Sequence, residues 1–161
     1  MNTELDNKWY ALYTKPRAEK KAYIDLVKAG VETYLPLRKE LKQWCDRKKW
    51  IEIPVINSYI FVKISANEFK QIVETNNIIT FVSFHGNAAP IPDREIETMK
   101  RVVENSLSIS VETGNLKKGK KITFESGPLK GISGEIINTK GEKKLYIRLK
   151  NAGFTLVVNL D

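Results

Sequence analysis

Apolar positions change their rhythm once along this chain. Up to about residue 105, short runs with a period of two alternate with stretches of helical period, and beyond it only short runs separated by glycines remain. Trp9 to Thr14 reads as a buried or two-faced first strand. A helix should follow, with Pro16 in its first turn. Ala18, Ala22, Leu26 and Ala29 repeat every three or four residues, Tyr23 and Val27 widen that face, and Gly30 offers a left-handed cap before Val31. Val31 to Leu41 looks extended, with Pro36 marking an edge or a bend. Lys42 to Lys49 reads as a polar, basic connection carrying Trp44 and Cys45. Trp50 to Ile64 is extended again, with a possible break near Pro54; Ile60, Val62 and Ile64 share one face, and Tyr59, Phe61 and Lys63 the other.

Ser65 and Glu68 have capping-box spacing, and the helix they start places Phe69, Ile72 and Val73 on one side. Ile78 to Phe84 predicts a strand, His85-Gly86-Asn87 a turn, and Asp93 the cap of a third helix burying Ile96, Met99 and Val103. This order predicts an α+β domain over 8–105, with helices on a small, mainly antiparallel sheet. Residues 106–115 read as a linker that includes Gly114. Strands at Lys120–Phe124, Gly134–Asn138, Lys144–Arg148 and Thr155–Leu160 then predict a small SH3-like β-barrel over 116–161. A module of that size buries only ~60% of its unfolded surface and should be marginally stable alone.

Composition narrows the function. The 161 residues are 42% hydrophobic, enough for a core, and no apolar run approaches the ~18 residues of a membrane span. The polar segment Met1–Lys8 does not read as a signal or transit peptide, which favours the cytoplasm. A single cysteine, Cys45, excludes an internal disulfide and a cysteine-based zinc site. The net charge of +8 is uneven: residues 1–113 hold 17 Lys/Arg against 15 Asp/Glu, and 114–161 hold 10 against 4. That asymmetry suits a nucleic-acid or ribosomal partner, although a solvated basic surface would look the same. His85, the only histidine, has no relay or ligand partner, and the carboxylates form no acid–base pair. Neither an enzyme, a metal site nor a cofactor is expected.

Two groups of residues carry a more specific signal. Gly119, Ile122, Phe124, Gly127, Pro128, Gly131 and Gly134 place two alternating apolar residues before a Gly-Pro turn and two further glycines. This spacing resembles the KOW motif and lacks the Lys-Ser/Thr ending of a nucleotide loop. Upstream, Trp9-Tyr10-Ala11-Leu12-Tyr13, Tyr59-Ile60-Phe61-Val62 and Phe81-Val82-Ser83-Phe84 before Ile91-Pro92 resemble the N-terminal domain of NusG-type transcription elongation factors. Ile56-Asn57-Ser58 stands where family members often have Phe-Pro-Gly. The Glu40–Lys49 stretch looks more like that of specialised paralogs, the UpxY-like and RfaH-type antiterminators.

The resemblance implies a monomeric elongation or antitermination factor. Tyr13, Tyr59 and Phe61 would meet the clamp helices of bacterial RNA polymerase, and Lys15, Arg17, Lys21 and Lys28 would face the non-template DNA strand. The KOW domain would recruit a second partner, ribosomal protein S ten or Rho. Each assignment has a plainer alternative: the aromatic face can be covered by this chain's own linker or barrel, and the lysines can be solvated helix charges. A ribosome-associated RNA-binding KOW protein is the competing function, using the basic barrel alone.

Overall fold

The computed structural model describes residues 7–84, 86–105, 109–112, 119–139 and 141–159. His85 and Gly114 lie outside the described residues. In chain order the elements are β1 (Lys8–Thr14), α1 (Glu19–Lys28), β2 (Glu32–Tyr34), β3 (Leu37–Trp44), β4 (Arg47–Pro54), β5 (Tyr59–Ile64), α2 (Phe69–Val73), β6 (Ile78–Phe81), β7 (Ser83–Phe84), β8 (Asn87–Ala88), α3 (Asp93–Glu104), β9 (Ile109–Glu112), β10 (Lys120–Thr123), β11 (Ser133–Thr139), β12 (Glu142–Leu149) and β13 (Phe154–Asn159). They form two compact units, Met1–Pro36 with Ile56–Ile96, and Leu37–Val55 with Glu97–Asp161. The hairpin β3–β4 and the last turns of α3 thus group with the C-terminal sheet, a division that local periodicity does not encode.

The first unit holds an antiparallel sheet in the order β2-β5-β1-β6. Its register pairs Tyr10 with Val62 and Leu12 with Ile60, so these four side chains share one face, together with Ile64. Leu12, Ile60, Val62 and Ile64 have no exposed surface. Ala18, Ala22 and Leu26 form the buried stripe of α1, which packs on β2 and β5. Phe69 at the start of α2 meets Tyr10 edge-on at 5.0 Å and Phe81 at 4.7 Å. The capping box of Ser65 and Glu68 is present and opens a short 3-10 turn, Ala66–Glu68, ahead of α2.

Helical faces are narrower than the apolar pattern suggested. Tyr23, Val27 and Ala29 are exposed on α1, and so is Val73 on α2. Each of Tyr23, Val27 and Val73 follows a buried residue by one position, a rotation of about 100° that carries it off the stripe. On α3 the fully buried residues are Ile96, Met99 and Val102, while Val103 is half-buried. Helix α1 also starts later than Pro16 predicts, because Pro16 and Arg17 form a turn in which Arg17 has a φ of 61°.

The expected connection Lys42–Lys49 is instead the end of a hairpin. Strands β3 and β4 pair over eight residues each, from Leu37↔Pro54 to Trp44↔Arg47, leaving Cys45 and Asp46 as a two-residue turn. Cys45 has a φ of 31°, a position where such turns usually carry Gly or Asn, so no hairpin signal is legible at Cys45-Asp46.

In the second unit, five antiparallel strands follow the order β10-β11-β12-β13-β9. Four of them lie where glycine spacing placed them. The fifth, β9, falls inside the expected linker: Val111 and Ile109 pair with Leu156 and Val158 at the edge of the sheet. Leu145, Ile147, Leu149, Leu156 and Val158 supply the core. Within this unit, Arg101 in the last turns of α3 donates two hydrogen bonds, to the carbonyls of Pro128 (2.9 Å) and Lys130 (2.7 Å).

Candidate functional site

The register sets Trp9, Ala11 and Tyr13 of β1 on the sheet face opposite the helices, beside Tyr59, Phe61 and Lys63 of β5. Alternation leaves open whether the two sets share a face, and it carries nothing about how little of that face is accessible. Trp9 and Ala11 are each 4% exposed, and Phe61 has no exposed surface. Tyr34 of β2, the cross-strand partner of Phe61, stacks on its ring at 6.2 Å. Phe61 is therefore an interior ring in the folded chain, in contrast to the surface ring expected of a docking residue.

Accessible aromatic surface remains at one end of the face. Tyr13 is 37% exposed and Tyr59 is half-buried. Their rings meet edge-to-face at 4.9 Å, and the Tyr59 hydroxyl donates to the Tyr13 hydroxyl at 3.1 Å. Burial, then this hydrogen bond, then the neighbouring Tyr13 charge push the Tyr59 phenol well above its ordinary range. Tyr59 is thus neutral under physiological conditions, and each ring of the pair offers an apolar body and a polar tip, the combination that favours protein interfaces.

Glu19 fixes the start of β5. Its buried carboxylate accepts the Ser58 N–H at 2.9 Å, and the Ser58 carbonyl accepts the Thr14 N–H at 2.9 Å. Ser58 has a φ of 62°, a left-handed conformation better suited to the glycine found there in many family members. Both bonds hold this strained residue beside the tyrosine pair. The sequence offered no sign of this role, since an acidic residue in a first helical turn is ordinary.

Lys15 and Arg17 lie in the turn between β1 and α1, and both are exposed. Lys21 and Lys28 are exposed on α1, seven residues apart and so nearly two turns along the same side. Ile24 lies between them on that side and is 50% exposed. All four lysine and arginine candidates for DNA contact are therefore accessible, three near one end of the helix and Lys28 at the other.

Residues of the C-terminal motif form the β10–β11 connection. There the Phe124 N–H donates to the Ile132 carbonyl (3.1 Å), and the Gly131 N–H donates to the Phe124 carbonyl (2.8 Å). Gly131 sits at a φ of 86°, which an L side chain rarely adopts. Gly127 and Pro128 form the exposed turn, and Ile122 and Phe124 are half-buried. Gly119 donates its N–H to Glu135 at 3.0 Å. Glu135 also accepts two bonds from Arg148, each 3.2 Å. The Arg148 bonds first, then the Gly119 N–H, hold the Glu135 carboxyl below its ordinary range. Gly134 is a strand residue rather than a turn residue: a Cβ there would lie 2.8 Å from Leu145 Cδ1 and 2.9 Å from the Tyr146 carbonyl.

Among the described residues, no cluster of three potential metal ligands occurs, and no helix is long and apolar enough to cross a membrane.

Comparison with known proteins agrees with this architecture. No curated protein matches the chain. A solved structure concerned with domain interaction in Thermotoga maritima NusG is 21% identical, with a TM-score of 0.57, over 97% of this chain and 94% of that one. This shows a shared fold. A structure of the MjSpt4:Spt5 complex is 16% identical with a TM-score of 0.33, covering 93% of this chain and 91% of that one. The family model for NusG, described as transcription termination factor nusG, matches residues 7–100, more than half of the chain. The chain belongs to the NusG family of transcription factors.

Proposed function

We propose that this protein is a non-catalytic elongation factor of the antiterminator subtype, resembling UpxY-like and RfaH-type paralogs, that binds bacterial RNA polymerase through the Tyr13–Tyr59 pair. The observation that carries this reading is the accessible tyrosine pair at one end of a sheet face whose Trp9, Ala11 and Phe61 are buried. Paired helices of the polymerase clamp would cover it, with Phe61 and Tyr34 bracing the sheet behind the contact. Lys15, Arg17, Lys21 and Lys28 would contact phosphates of the exposed non-template strand. The C-terminal sheet, read as a KOW barrel, would recruit a further protein, ribosomal protein S ten or Rho.

Binding to core polymerase and to assembled elongation complexes, each over a salt series, tests both contacts. Tyr13→Ala with Tyr59→Ala should weaken binding to both targets by ~2 kcal/mol or more, as truncated interface aromatics often do. Wild-type affinity in that variant would remove the pair from the interface. Neutralising Lys15, Arg17 and Lys21 together should leave core polymerase binding unchanged. With elongation complexes it should reduce the salt slope by ~2, from about 0.7 per single-strand phosphate released. An unchanged slope would take these residues out of the DNA path.

A further inference from the structure

We propose that the end of the β3–β4 hairpin is a binding site for single-stranded RNA. From Leu41 to Trp50 every residue is exposed, including Trp44 at 55% and Trp50 at 63%. Two indoles left in water are a large apolar surface that a partner can cover with gain. The register places them on opposite faces of the ribbon. Trp44 lies opposite Arg47, with Lys42 opposite Lys49 on the same face; Trp50 lies opposite Leu41, with Gln43 opposite Lys48 on the other. The Trp44 face thus carries Lys42, Arg47 and Lys49, and the Trp50 face carries Lys48.

The charges point to a polyanion. Residues 42–49 carry Lys42, Arg47, Lys48 and Lys49 against one carboxylate, Asp46. Lys42 and Lys49 stand directly across the ladder, a like-charge pairing that destabilises a hairpin. Glu40, the nearest carboxylate on that face, lies 3.7 Å from Arg38. Phosphates would relieve the repulsion while bases stack on the indoles, the combination that single-strand binders use.

A duplex fits less well, because its base faces are already stacked inside and only its edges reach a protein ribbon. Asp46 favours RNA over DNA. A carboxylate among phosphates is repelled, but it accepts a hydrogen bond from the 2′-hydroxyl that RNA alone carries. The choice of RNA also rests on the transcription-factor reading, because transcription supplies a nascent RNA strand besides the displaced DNA proposed to meet Lys15, Arg17, Lys21 and Lys28.

The test uses the full chain and no polymerase, so that its outcome is separate from that of the polymerase contact. Fluorescence anisotropy is measured with a labelled RNA of about 12 nucleotides, the DNA of the same sequence, and the RNA duplex. Tryptophan emission is followed in parallel; Trp9 is buried, so quenching reports the hairpin. Single-stranded RNA should bind tightest and quench. Trp44→Ala and Trp50→Ala should each weaken it by roughly tenfold, and Trp44→Phe should recover most of that loss. Lys42→Gln, Lys48→Gln and Lys49→Gln together should lower the salt slope by ~2. Equal or tighter binding of the single-stranded DNA or of the duplex would overturn the assignment to single-stranded RNA. RNA affinity indifferent to both tryptophans would remove the site from the hairpin.

Discussion

Phe61→Ala is expected to cost about 3–5 kcal/mol of folding stability, the usual range for truncating a buried phenylalanine. Phe61 has no exposed surface and stacks on Tyr34 at 6.2 Å. It is also on the central strand pair of its sheet, opposite Ala11, whose small side chain cannot fill the space left behind. Chemical denaturation of the variant should show the loss as a lower midpoint, and Phe61→Leu should cost much less because it conserves most of the volume. Tyr13→Ala, at the partly exposed end of the same face, should cost less than Phe61→Ala. A Phe61→Ala variant with wild-type stability and lost polymerase binding would return Phe61 to the surface role suggested by family resemblance. This comparison separates two explanations of one binding defect: a missing contact and a weakened scaffold.

The aromatic face illustrates what the sequence made legible. Strict alternation assigned Trp9, Ala11 and Tyr13 to one side of β1, and the same alternation assigned Tyr59 and Phe61 to one side of β5. The antiparallel register then joins the two sets, as the family resemblance implied. Accessibility depends on what packs over a face, and no period in the chain encodes that. Hence Tyr13 and Tyr59 stay accessible while Phe61, two positions from Tyr59, does not. Glu19 was invisible for a related reason. Its importance comes from a bond to Ser58, 39 positions away, and nothing local distinguishes it from other acidic residues in a first helical turn.

Hairpin β3–β4 and strand β9 fail to show for different reasons. The turn of the hairpin is Cys45-Asp46, with Cys45 at a positive φ that cysteine does not advertise. The strands also carry charged residues on both faces, so alternation is weak. Ile109 and Val111 do alternate, but a four-residue strand beside a glycine reads as linker until its partner is known. Val157 and Val158 of β13 are both buried, and that strand receives β9 along one edge. The glycine-spaced strands were easier to find because their turns bear explicit signals.

Gly134 provides a sharp test of the C-terminal motif because propensity and packing predict opposite results. Valine is favoured in strands by up to ~1 kcal/mol over glycine on intrinsic grounds, and Gly134 lies inside β11. Even its first added carbon would lie 2.8 Å from Leu145 Cδ1 and 2.9 Å from the Tyr146 carbonyl oxygen. The leucine methyl can move, but the carbonyl belongs to the neighbouring strand, whose Tyr146 is paired with Glu135 and Val157. Relief therefore requires separating β11 from β12 where Leu145, fully buried, anchors the core. Gly134→Val should destabilise the protein by about 3 kcal/mol, the upper part of the range for overpacking. Asn138→Val is the control, an exposed position of the same strand, and should change stability by no more than ~0.5 kcal/mol. Thermal unfolding of both variants decides the matter. A neutral or stabilised Gly134→Val would show that the strands can separate freely there, and would leave Gly134 without the packing role assigned to it.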